Sequence, residues 1–136
     1  MTLRERIRLA LLTLGSLCLA ARPGAVAADE NFFTHLHTDK AMANVTVLPA
    51  HAGPVDIEIQ LETTDEKPLF ARTVTVTLAD TESGKRLPTV QAARAGDDSW
   101  HVHISSLAAG RWMLGLAISL SGADDISVEA PIQIER

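Results

Sequence analysis

The sequence predicts an all-β fold, an antiparallel β-sandwich of about seven strands. Three observations carry that prediction. Apolar and polar residues alternate with period two in five separate segments, the pattern of a strand with one buried face. Clusters of Pro, Gly, Asp and Ser separate those segments, as turns require. No window beyond the first 28 residues shows a helical stripe.

Taken in order, residues 1–28 read as a secretory signal. Arg4, Arg6 and Arg8 give a positive start, and Leu9 to Ala21 is free of charge. Arg22-Pro23-Gly24 breaks a helix, and Ala25-Val26-Ala27 offers small residues for cleavage near Ala27 or Ala28. The apolar run is shorter than the roughly 20 residues a membrane span needs. Leu17 before Cys18 lacks the small residue of a lipoprotein signal. The arginine-rich start predicts bacterial export to the periplasm.

Residues 29–43 show no clear period and are expected to be irregular. Strands are expected over 44–48, 54–62, 71–80, 86–94, 98–105, 111–120 and 126–135. Val55, Ile57, Ile59 and Leu61 form one apolar face, and Val74, Val76 and Leu78 another. Trp100, Val102 and Ile104 alternate with His101 and His103. Trp112, Leu114, Leu116 and Ile118 alternate with Met113, Gly115 and Ala117, and Ile126 to Ile134 closes the chain. Trp100 and Trp112 are the expected large core residues. Seven short strands in about 100 residues suggest immunoglobulin-like topology, without the Cys–Trp–Cys pattern of antibody domains. The chain thus divides into a signal (1–28), an irregular segment with a His-x-His pair (29–43) and a sandwich domain (44–136).

Composition narrows the function. The 136 residues carry 12 basic and 17 acidic side chains, a formal charge of −5. Removing residues 1–28, with four Arg and one Glu, leaves 8 basic and 16 acidic side chains and a charge of −8. Such a chain has little nonspecific attraction for nucleic acid. Its single cysteine leaves with the signal, so no thiol or disulfide remains. About 108 residues hold one domain, which buries roughly two-thirds of its unfolded surface. Phosphate loops and a Gly-x-Ser-x-Gly elbow are absent. Nothing assembles a nucleophile, base and oxyanion donor, so no enzyme is expected.

The histidines cluster as His35-x-His37 and His101-x-His103, with His51 alone in a turn. On an extended chain, residues two apart face one side about 7 Å apart, so two imidazoles can converge on one ion. Imidazole suits copper, zinc and nickel, and thioether selects Cu(I). Met42 stands five residues after His37, within reach if the chain folds back. Asp39 is a candidate oxygen donor or imidazole acceptor. His101 and His103, with Met113 beside them on the outward side, form a lesser candidate set. Solvated surface histidines are the alternative for both pairs.

The stretch His35-Leu36-His37-Thr38-Asp39-Lys40-Ala41-Met42-Ala43-Asn44-Val45-Thr46-Val47 resembles the opening of the small soluble domain of bacterial copper-resistance proteins. That domain occurs at the C-terminal end of CopC/CopD-type copper transport fusions and in YtkA-like proteins. Gly53-Pro54-Val55, Pro68-Leu69, Val74 to Leu78, Trp100 and Gly110-Arg111-Trp112 are similar landmarks, so the resemblance covers about residues 33–136. It implies a periplasmic immunoglobulin-like domain handling copper, Cu(I) or Cu(II), with His35, His37 and Met42 as metal ligands. The chain departs from the family's Cu(II) site. It would begin at Ala28 or Asp29 instead of histidine, and its late turn, Gly122 to Ile126, has none. These 136 residues include no transporter segment, so a membrane copper transporter or an oxidase-assembly protein is expected as a separate partner. The other expectation is a metal-free interaction domain that docks a membrane protein or another subunit.

Overall fold

The computed structural model describes residues 30–136 except Ala123. The signal expected over 1–28 lies outside the described residues. Among the described residues, nine strands form two antiparallel sheets. They are β1 (Phe32–His37), β2 (Met42–Leu48), β3 (Gly53–Glu62), β4 (Thr73–Asp80), β5 (Val90–Gln91), β6 (Ala93–Arg94), β7 (Ser99–Leu107), β8 (Gly110–Ser119) and β9 (Asp125–Ile134). One sheet runs β1-β2-β3-β7-β6, the other β5-β4-β8-β9. Leaving β1 aside, these are the two sheet orders of an immunoglobulin-like sandwich with one added strand beside the second sheet.

Period two builds the core. Val55, Ile57, Ile59 and Leu61 of β3 in one sheet, and Val74, Val76 and Leu78 of β4 with Leu114, Leu116 and Ile118 of β8 in the other, are all buried in one cluster. Trp100 and Trp112 are buried in it as expected. Trp112 donates its Nε1–H to the Ala108 carbonyl at 2.9 Å, which satisfies the polar end of a buried indole. Among the described residues no buried side chain is polar or charged in type. Among them, too, no helix is long and apolar enough to cross a membrane.

Two expectations change. The segment expected to be irregular contains β1, whose Phe32, Thr34 and Leu36 turn inward while Phe33, His35 and His37 turn outward. Its alternation is short and mixed in polarity, so pairing with β2 organises it more than its own pattern. The strand expected over 86–94 is instead two pieces in different sheets. Val90–Gln91 pairs with β4, and Ala93–Arg94 pairs with β7. Ala92 is the buried crossing point, its N–H donated to the Val74 carbonyl at 2.8 Å. Pro88 cannot donate to a ladder, and a small residue at the crossing lets the chain pass between the sheets.

Candidate metal centre on the outer face of the five-stranded sheet

A hairpin positions the N-terminal histidines. Thr38 closes it. Its N–H donates to the Ala41 carbonyl at 2.9 Å, and its Oγ1 accepts the N–H of Lys40 at 3.1 Å and of Ala41 at 2.9 Å. The four-residue turn 38–41 sets His37 directly across from Met42 and His35 across from Asn44. Cross-strand partners share a face of the sheet, so His35, His37 and Met42 lie together on the outer face. Both histidines are exposed, whereas Met42 is 6% exposed and lies outside the core cluster. Asp39 is exposed in the turn.

The ring of His35 is held by a short relay. Asn44 Nδ2 donates to Glu62 Oε1 at 3.1 Å and to Gln60 Oε1 at 3.4 Å. An ionised carboxylate only accepts, so the amide of Asn44 must turn its Oδ1 toward His35. That oxygen lies 2.6 Å from His35 Nδ1, which therefore carries the proton. With the proton on Nδ1, the Nε2 of a neutral His35 ring is the acceptor nitrogen. It lies 3.4 Å from His37 Nδ1, and the two ring centroids are 5.4 Å apart. Two nitrogens so spaced fit one ion at about 2.0–2.1 Å from each, with an angle of roughly 110°. Sequence reasoning missed Asn44 and Glu62, because their approach depends on strand register.

The second pair sits on the same face of the same sheet, on β7. His103 is opposite Asp56 and His101 opposite Glu58. Asp56 Oδ1 lies 3.0 Å from His101 Nε2 and 2.9 Å from His103 Nδ1. The hydrogen bond from His103 is the main force holding the Asp56 carboxyl below its ordinary range. Desolvation opposes it, and the hydrogen bond from His101 and both imidazole charges add to the lowering. Asp56 was also missed, since it stands 45 residues before His101.

The two pairs do not share a centre. Register places His35 in one row with Asn44, Gln60 and Ser99, and His101 two residues further along β7. Three strand spacings and two residues separate their backbones by about 16 Å, and each pair is turned to its own acceptor. Met113, expected beside His101 and His103, lies across β8 from Ala79 and Pro131 in the other sheet. Alternation there sends it to the opposite outer face of the sandwich. His51 is likewise apart, bridging to Glu135 with its Nδ1 3.3 Å from the Arg136 carbonyl oxygen. Between the two pairs lies a groove of about 530 Å³ lined by Phe33, Asn44, Thr46, Glu58, Gln60 and His101.

The fold and this face define an immunoglobulin-like sandwich with an added N-terminal hairpin arm that carries paired imidazoles. No family model and no curated protein matches the chain. Among solved structures, the crystal structure of "as isolated" FetP from uropathogenic E. coli strain F11, recombinantly expressed in the periplasm of E. coli, is similar. The match has 12% identity and a TM-score of 0.52, and covers 78% of this chain and 98% of that one. At that identity the likeness is one of fold.

Proposed function

We propose that this protein is a periplasmic, non-enzymatic copper-binding module that sequesters copper or hands it to a membrane transporter or an oxidase-assembly partner. The observation that carries the reading is the hairpin, which sets His35 Nε2 3.4 Å from His37 Nδ1 with Met42 on the same face. Two imidazole nitrogens and a thioether are a donor set suited to Cu(I). The resemblance of residues 35–47 to copper-resistance domains supports the same ion. An exposed pair of histidines on an edge strand suits ligand exchange with a partner. Export is supported by the arginine-rich apolar start and agrees with the periplasmic expression of FetP.

The test is titration of the purified protein with Cu(I) and Cu(II) against a competing chelator. The double variant His35→Ala/His37→Ala should lose Cu(I) binding while keeping its circular dichroism spectrum. Met42→Leu should weaken Cu(I) more than Cu(II), since only the soft ion gains from the thioether. Acidification should weaken both, because protonated imidazole cannot ligate. Equal Cu(I) affinity in wild type and the double variant overturns the site. The second reading, a metal-free docking domain, rests on Phe33, a large apolar side chain 62% exposed beside the groove. Unchanged copper affinity, together with partner docking that Phe33→Ser abolishes, would favour it.

A further inference from the structure

The β3–β7 half of the outer face carries chemistry that the hairpin does not use. Two histidines turn different ring nitrogens, Nε2 of His101 and Nδ1 of His103, onto a single carboxylate oxygen of Asp56. Opposite charges across a strand pair suffice to explain one such contact. Here both imidazoles converge on the same atom. The separations of 3.0 and 2.9 Å are those between neighbouring ligands of one ion at about 2.0–2.1 Å with an angle near 90°. Glu58, across from His101, brings a second carboxylate to the same face.

We propose that Asp56, His101 and His103 form a second metal site, for a borderline divalent cation of the Zn²⁺ or Cu²⁺ class, separate from the hairpin. The donors are two nitrogens and carboxylate oxygen without sulfur, a set that favours such ions over Cu(I). Their side chains are 40%, 55% and 42% exposed for His101, His103 and Asp56, so an ion enters and leaves without disturbing the core. No three His, Cys or carboxylate donors are already gathered round one point among the described residues. Binding therefore turns the half-exposed rings by rotation about their side-chain bonds. The ring nitrogens facing Asp56 give up their protons. In a neutral ring the proton passes to the far nitrogen, and in a charged ring it goes to solvent. Asp56, Glu58 and Glu62 on one strand add a negative field that gathers cations at this face.

The site stands independently of the copper reading, and the experiment keeps them apart. Zn²⁺ is titrated calorimetrically into the purified His35→Ala/His37→Ala protein, with the remaining histidine ring resonances followed by NMR. One equivalent should bind, and the His101 and His103 resonances should move together. Adding His101→Gln/His103→Gln should abolish that uptake, and Asp56→Asn should weaken it at least tenfold. No Zn²⁺ uptake in the His35→Ala/His37→Ala protein overturns the proposal, as does uptake indifferent to His101→Gln/His103→Gln. Unmoved His101 and His103 resonances overturn it even if the quadruple variant does not fold.

Discussion

Asn44 decides which nitrogen of His35 is offered outward. Its amide is pinned by the Glu62 carboxylate at 3.1 Å, and its oxygen holds the His35 Nδ1 proton at 2.6 Å. A partner of this kind fixes the tautomer and orientation of a ligating imidazole, and its loss typically costs about 10–100-fold in metal affinity. Asn44→Leu should therefore weaken copper binding by roughly tenfold or more. Asn44→Asp keeps an acceptor for the ring and should lose less. Competitive chelator titration measures the affinities, and ¹⁵N shifts of the His35 ring report the tautomer. A purely structural asparagine would lower the melting temperature and leave the tautomer alone. The His-x-His spacing disclosed a shared face for His35 and His37, and the five-residue step to Met42 left room for the chain to fold back, as the hairpin does. Asn44 and Asp56 were not legible, because each meets its histidine only through a register set by the whole sheet.

Strands with one apolar face were legible wherever period two ran unbroken, as in β3, β4, β7, β8 and β9. The same rule faltered where packing came from a neighbour. Phe32–His37 becomes a strand through its ladder to Met42–Val47, and Ala92 breaks one expected strand by changing sheets. Alternation also left Gly115 looking like an ordinary outward position of β8. It is buried beneath Thr77, its partner on β4. A Cβ placed there would lie 2.5 Å from Thr77 Oγ1, closer than real Cβ atoms come. Gly115→Ala forces the half-exposed Thr77 to turn its Oγ1 aside and should destabilise the domain by about 1 kcal/mol, the order of a side chain driven off its preferred rotamer. Thr77→Ala removes the oxygen and should recover much of that loss in the double variant. Urea melts of the four proteins check it; additive effects would mean that the two side chains do not collide.

At the scale of the molecule, β1 is an edge strand that also ties the two sheets together. It pairs with β2 over six positions and lies against β9 of the other sheet. Just before it, the Glu30 carbonyl accepts the Ala50 N–H at 2.8 Å. Ala50 and Ala52 in turn exchange hydrogen bonds with Glu135 at 2.8 and 2.7 Å, closing the corner between sheets. A candidate ligand set split between an edge strand and its neighbour has a consequence for stability. An ion held by His35 and His37 on β1 and Met42 on β2 cross-links an edge strand to its neighbour. Because such an ion binds the folded state, Cu(I) at about a hundred times its dissociation constant should add about 2.7 kcal/mol. The gain should be local before it is global. Amide exchange should slow first in Phe32–His37 and its partners on β2, and least in β4 and β8, which open with the core. His35→Ala/His37→Ala should show neither the thermal shift nor the local protection. Cu(I) that stabilised the double variant equally, or slowed exchange only in β7, would place the ion away from the hairpin and remove β1 from the function.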